Sequence, residues 1–298
     1  MANDKIHSHT QNRKRKNSKR RQQVRRQLLV IALVVLVAVI AVVSCTVKRV
    51  KDKKSVQVTE QQSSQKSTAK EDKNDTQETE KERLKRVKEE AKAAGYPEKV
   101  IALLSKNPET VDFVENYGEK KDAAPAETIE ELKEGEIPCI QQWDERWGYA
   151  PYGSNIVAVS GCGPTCMSMI IAGLTGDATV TPAVMAAYGT ENQYLDEDNN
   201  TYWSFMEEAG ENWGVSCRGG HLSEEEVKQE LEAGHPIICS VGPGDFTKSG
   251  HFIILTEYHD GEVKVCDPFN RANSEKQWVF AEIQDQIKAM WIYSVDKQ

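Results

Sequence analysis

Residues 136–298 read as an α+β fold, and the order of their patterns predicts it. Helix-like apolar patterns come first, at 162–174, 182–188, 202–213 and 223–233. Strand-like runs then gather at 237–241, 251–258, 263–267, 277–280 and 290–295, with one more short helix at 281–287. Helices followed by consecutive strands give an antiparallel sheet rather than alternating βαβ units. A second observation is local. The run Ser160-Gly161-Cys162-Gly163-Pro164-Thr165-Cys166 opens the first helix, and Pro164 suits a first turn, where its missing N–H is not needed.

The elements ahead of this domain differ in kind. A chain of 298 residues is long for one domain. Its net charge of −8 conceals a division: residues 1–27 are crowded with Lys and Arg, while the C-terminal half is acidic. Residues 28–47 carry no charge and are almost wholly apolar. About 20 such residues cross a bilayer as a helix. The basic block before them outweighs the one at 48–54, so the positive-inside rule puts 1–27 in the cytoplasm and the bulk of the chain outside. Two other readings stay open. Val42-Val43-Ser44-Cys45 loosely resembles a bacterial lipobox, which would anchor the chain through a lipid on Cys45, and the segment also fits a cleaved export signal. Next to a span, the basic block at 13–26 fits orientation and attraction to anionic lipid better than nucleic acid.

Residues 48–75 have almost nothing apolar to bury and read as a disordered stalk. Residues 76–118 read as helical. The stretch 76–94 carries a sparse stripe, Leu84, Val87 and Ala91, and is expected to be a solvated helix. Tyr96-Pro97 opens a second stretch with Val100, Ile101, Leu103 and Leu104 on one face, and Asn107-Pro108-Glu109 breaks and restarts it ahead of Val111, Phe113, Val114 and Tyr117. This is a short helical hairpin of the kind that packs onto a neighbour. Residues 119–135 read as a second linker.

In the C-terminal domain, Tyr202 to Trp213 offers Trp203, Phe205, Met206 and Ala209 as apolar anchors. Ser223 and Glu226 form a capping box, with Gly234 as the stop. Cys162 carries the chemistry. At a helix start it feels the positive end of the helix dipole, which favours thiolate over thiol. Gly161 and Gly163 let backbone approach on both sides. Alone, Cys162 could equally be a buried structural cysteine. Downstream, Gly250-His251 opens one apolar run and Asp267-Pro268 closes the next, and a thiolate and its base need only meet in space. Cys166 is the rival nucleophile, one turn along and expected to be covered. Asn270 is the rival to Asp267. The chain has seven cysteines without Cys-x-x-Cys pairing or metal-like clustering, so neither zinc nor any other cofactor is implied. Cys239 and Cys266 are expected to be buried in strands; disulfides among Cys139, Cys166 and Cys217 stay open.

The segments Ile137-Pro138-Cys139-Ile140-Gln141-Gln142, Asp144-Glu145-Arg146-Trp147, Gly161-Cys162-Gly163-Pro164-Thr165, Gly250-His251-Phe252 and Cys266-Asp267-Pro268 resemble the C39-like papain-fold cysteine peptidases. Relatives in that family process leader peptides on bacterial ABC exporters, and many others are secreted or anchored. The resemblance implies a two-lobed papain-like domain over 136–298 with its site between the lobes. It implies Cys162 as nucleophile, His251 as base, Asp267 as the carboxylate that orients the histidine, and Gln142 as oxyanion donor. The partners it implies are a peptide or protein substrate and, through the N-terminal segment, a membrane. A peptidoglycan stem-peptide hydrolase is the alternative activity, and a catalytically silent surface binding domain is the alternative class.

Two expectations concern geometry. Strand-like alternation would put Gln142 on the inward face of Ile140 and Gln141 opposite, leaving Gln141 the weaker donor. Trp143, Trp147, Tyr149 and Tyr152 could line a substrate groove or fill the core. The runs around His259-Asp260-Gly261 should form a hairpin. A two-residue turn would place Asp267 opposite Ile254, facing away from His251. A three-residue loop with Gly261 at positive φ and Tyr258 opposite Glu262 would place it opposite Ile253, diagonal to His251. The sequence reading expects the three-residue loop.

Overall fold

In a computed structural model, residues 78–295 are described. They belong to one compact unit. Leu28–Val47, the expected membrane span, Cys45 and the stalk lie outside them. Among the described residues no helix is long and apolar enough to cross a membrane.

The chain begins with a helical region. α1 (Glu80–Ala93) starts at Thr79, whose side chain accepts the Glu82 N–H while Glu82 reaches back to the Thr79 N–H. α2 (Glu98–Ile101) and α3 (Leu103–Lys106) are single turns; after a 3-10 turn at Pro108–Thr110 come α4 (Val111–Glu115) and α5 (Tyr117–Lys120). The sparse stripe of α1 is not solvated as expected: Val87 and Ala91 are buried. They join one cluster with Val100, Leu103, Leu104, Phe113 and Val114, and also with Trp143, Tyr149 and Ala158 of the following domain. The reason is charge as well as area. Arg83 pairs with Asp112 and Glu115, and Arg86 with Glu115, which fixes the polar flank of α1 against α4. Residues 122–135 have no regular element but are not a free linker. Ile129 is buried in the main core and its N–H donates to Ala178 O at 2.9 Å.

The α+β expectation is met. A small hairpin, β1 (Pro151–Tyr152) and β2 (Asn155–Ile156), leads into α6 (Val157–Ser160) and the buried helix α7 (Cys162–Thr175). α8 (Pro182–Glu191), α9 (Trp203–Glu208) with a 3-10 turn to Trp213, β3 (Val215–Gly219) and α10 (Glu224–Glu232) follow. Then come β4 (Ile237–Val241), β5 (His251–His259), β6 (Glu262–Cys266), α11 (Arg271–Ser274), β7 (Gln277–Val279), α12 (Phe280–Ile283) and β8 (Ile287–Val295). The six-stranded sheet runs in the order β3-β8-β4-β5-β6-β7, antiparallel throughout.

Period-two alternation divides the sheet between two cores. Ile238, Phe252, Ile254, Cys266, Trp291 and Tyr293 pack with Met167, Ile170 and Ile171 of α7. Ile237, Cys239, Ile253, Leu255, Val263 and Val265 pack with Val227 and Leu231 of α10. Two details depart from the sequence reading. β3 was not expected: Ser216 and Arg218 are polar, and the strand sits at the sheet edge, where one side has no partner. Trp203, expected as an anchor, is 49% exposed and lies edge-on to Trp291 at 5.6 Å.

The β5–β6 hairpin overturns the expected loop. His259 pairs with Glu262 and Tyr258 with Val263, so the turn has two residues, Asp260 (φ 49°) and Gly261 (φ 88°). Two successive left-handed residues are the turn whose twist matches the strands, and Asp-Gly supplies it. The register then shifts between Leu255 and Glu257, leaving Thr256 as an extra residue. Ile254 therefore faces Cys266, and the next step puts Asp267 opposite Ile253. The alignment expected from a longer loop is produced by a bulge.

Candidate active site

α7 places Cys162 at its first residue, with Gly161 as N-cap. Gly163 must be a glycine: a Cβ there would lie 2.6 Å from Thr201 Oγ1. Cys162 is half-buried, beside the first residues of β5. Burial pushes its thiol up, but the hydrogen bond and positive charge of His251, with the N–H groups of Phe252 and Gly163, hold it below its usual value. Cys166, one turn on, is fully buried, donates to Phe252 O at 3.5 Å, and is pushed well above the thiol range by burial. The helix that exposes Cys162 hides Cys166, as expected.

His251 opens β5. Its Nε2 meets Asp267 Oδ1 at 2.8 Å, which leaves Nδ1 free of that bond, and Cys162 is a neighbour of the ring. Burial works against the imidazolium, but the Asp267 charge and hydrogen bond, then Cys162, raise His251 to about 10. Asp267 is fully buried just beyond β6. Burial pushes its carboxyl up, and the His251 charge and hydrogen bond, the Asn273 amide and the Phe269 N–H bring it below the usual carboxylate value.

The carboxylate has a full set of donors. Oδ1 also accepts the N–H groups of Phe269 (2.8 Å) and Asn270 (3.1 Å), and Oδ2 accepts Asn273 Nδ2 (2.8 Å). The Asp267 N–H donates to Ser274 Oγ. Asn270, the rival orienter, caps α11 through its side chain and serves Asp267 through its backbone. Asn273 and Ser274 were missed by the sequence reading. The available signal was chemical: a buried carboxylate needs several donors, and the turn into a helix that begins four residues after it supplies them.

The alternation expected at 140–143 is absent. Ile140, Gln141, Gln142 and Trp143 are all buried, because the segment is no strand and is enclosed on both sides. The Gln142 amide nitrogen donates to Ala158 O (2.9 Å) and Val157 O (3.3 Å), at the turn just before Cys162, and its Oε1 has no partner. Gln141 Nε2 donates to Asp267 O at 3.3 Å. Thus His251 is hydrogen-bonded to Asp267 and acts on the neighbouring Cys162 thiol, with Gln142 held on the turn behind it. Trp143, Trp147, Tyr149 and Tyr152 are core residues. No group of three or more metal-ligating side chains occurs among the described residues.

The mixed helix-and-sheet fold is that of a peptidase domain. The model of the Peptidase_C39 like family matches residues 134–297, and the chain belongs to that family. Among solved structures it is similar to the peptidase domain of Streptococcus ComA, a bifunctional ABC transporter involved in quorum sensing. Identity is 14% over 46% of this chain and 92% of that one, with a TM-score of 0.36. It is also similar to a protein from Bacillus anthracis described as a C39-like peptidase, at 15% identity over 55% of this chain and 97% of that one, with a TM-score of 0.37. No curated protein matches.

Proposed function

We propose that this chain is a cysteine peptidase that hydrolyses peptide bonds through Cys162, His251 and Asp267. The supporting observation is the imidazole of His251, hydrogen-bonded to a buried carboxylate and holding the thiol at the start of α7 below its usual value. Such an arrangement stores a thiolate beside an imidazolium, the pair that nucleophilic acyl transfer needs. The thiolate attacks the carbonyl carbon of the scissile bond. The developing oxyanion takes the N–H of Cys162 at the helix start, and Gln142 Nε2 once it exchanges one of its carbonyl partners. His251 returns its proton to the leaving amine. Water, activated by the neutral imidazole, then cleaves the thioester and releases the acid.

The tether belongs to the same reading. The uncharged segment 28–47 and its basic flank favour a membrane anchor with residues beyond 48 outside the cell. Protease added to intact cells should release a soluble C-terminal fragment; full protection would reject this orientation, and a diacylated Cys45 found by mass analysis would replace the span with a lipid. For the chemistry, Cys162→Ala should abolish both hydrolysis and labelling by a peptide-like thiol electrophile, with the fold kept. Cys166→Ala should keep most activity and cost about 1 kcal/mol of stability. Labelling that moves to Cys166 would sink the assignment.

A further inference from the structure

One wall beside Cys162 holds two large aromatic side chains out in water. Thr201 packs on Gly163, the residue after the proposed nucleophile: a Cβ on Gly163 would meet Thr201 Oγ1 at 2.6 Å and Cγ2 at 2.9 Å. Thr201 is buried and fixed. Its hydroxyl shares a 2.7 Å hydrogen bond with Tyr152, its backbone bridges to Leu195, and the next N–H, that of Tyr202, donates to Tyr194 O at 2.8 Å. Tyr202 and Trp203 follow directly and are 46% and 49% exposed. A second ring stands behind them. Trp291 of β8 is buried, 5.6 Å from Trp203 and 6.3 Å from Phe252, the residue after His251. Phe252 O takes the Cys166 thiol at 3.5 Å, so this row of rings ends against α7. Trp291 Nε1 donates to Glu207 Oε1 at 3.4 Å. Glu207 is exposed and lies four residues after Trp203 on α9, on the same side of the helix. Glu226 and Glu230 are paired with Arg218, whereas Glu207 has no basic partner among the described residues.

We propose that Trp203 and Glu207 form a subsite for a basic side chain of the peptide substrate, an arginine or a lysine close to the scissile bond. The subsite rests on the peptidase reading above, which supplies the peptide. Its occupant follows from the chemistry of the two side chains. The stem of an arginine or lysine covers apolar ring surface while its charged head stays at the polar edge. An indole face attracts a cation within about 6 Å of the ring. Glu207 supplies the counter-charge one helical turn along. An apolar guest would use the rings but strip water from an unpaired carboxylate, and an acidic guest would be repelled by it. The place of the basic residue in the substrate follows from reach. Trp203 is two ring-to-ring steps from β5, and an extended peptide covers about 3.3 Å per residue, so the residue held there is within about four of the bond cut. The wall is fixed by the hydrogen bonds of Thr201 and Tyr202, so little ordering is needed when the guest arrives.

The test reads the sequence preference around the cut. A mixture of random acetylated peptides is digested with the full chain, and the cleavage sites are located by mass spectrometry. The expected result is arginine and lysine enriched at one fixed position within about four residues of the bond. Glu207→Gln should lower kcat/KM for such a peptide about tenfold, through KM, and leave the same peptide with glutamine at that position unchanged. Trp203→Ala should do the same. Glu208→Gln, an equal change of net charge at the next residue, should keep the preference. All three side chains are exposed, so the variants should fold. Enrichment of large apolar residues in place of basic ones, or a basic preference that survives Glu207→Gln, would overturn the proposal. If nothing is cut, the peptidase reading fails by itself and binding decides. The full chain carrying Cys162→Ala should hold peptides with one arginine about tenfold more tightly than their norleucine counterparts, and adding Glu207→Gln should erase the difference. Equal binding of the two peptide sets would sink the subsite.

Discussion

His251 sits between two charges of the same sign, and its position decides the pH behaviour of the site. With His251 raised to about 10 and Cys162 held below 9.0, an ion pair persists between those limits. The profile of kcat/KM should therefore rise on an acid limb below the ordinary thiol value and fall near pH 10. Asp267→Asn removes the charge that favours the imidazolium, so the alkaline limb should move down toward 6.5, with turnover reduced at least about 100-fold; an unmoved limb would separate Asp267 from His251. The linkage to folding has two signs. The raised His251 value contributes stability in full below pH 6.5 and loses it as pH climbs through about 10. The depressed Asp267 value contributes above 3.8 and loses its share as pH falls through that depressed value. Denaturant midpoints across pH should show a plateau with a fall at each end. At this scale Cys162, His251 and Asp267 were legible from residue type and setting. The donors around Asp267 were not, because Asn273 and Ser274 matter only once α11 folds them back onto the carboxylate.

Between elements, the β5–β6 hairpin and the clamp on residues 267–271 carry the geometry. Gly261→Val forces a β-branched residue to φ 88° and should cost about 1–3 kcal/mol, read as a lower urea midpoint. The folded fraction should keep its activity, because the bulge at Thr256 sets the alignment of His251 and Asp267 and not the turn. The clamp comes from the helical region. Asn107, buried at the cap of the 3-10 turn, donates to Phe269 O at 2.5 Å, a carbonyl that also takes Trp143 Nε1 (2.8 Å). Glu109 accepts the Arg271 N–H. Asn107→Ala leaves that carbonyl with one donor and should cost about 1–3 kcal/mol with a drop in kcat; unchanged kinetics would make the contact structural alone. The helices and central strands were readable from periodicity. The bulge was not, because nothing in the run His251 to His259 marks which residue steps out of the ladder.

For the whole described molecule, the helical region and the sheet domain share one core, although the family match begins only at residue 134. A fragment starting at 136 would bare Trp143, Tyr149 and Ala158 to water and lose the Asn107 contact. It should be at least about 3 kcal/mol less stable than one starting at 78, measured by urea unfolding. The sequence showed the apolar face of residues 100–117 but not what it would cover, since the covering surface comes from small or aromatic residues dispersed over 143–158. The Thr256 bulge has a further consequence, of the kind that a frameshift has for a gene. The sixteen steps from His251 to Asp267 count in twos, and the bulge absorbs the one residue that does not fit. Deleting Thr256 should leave a regular ladder with Ile253 still opposite Asp267, so kcat/KM should be kept. Inserting one residue between Ile253 and Ile254 should instead turn His251 away from its carboxylate and silence the site.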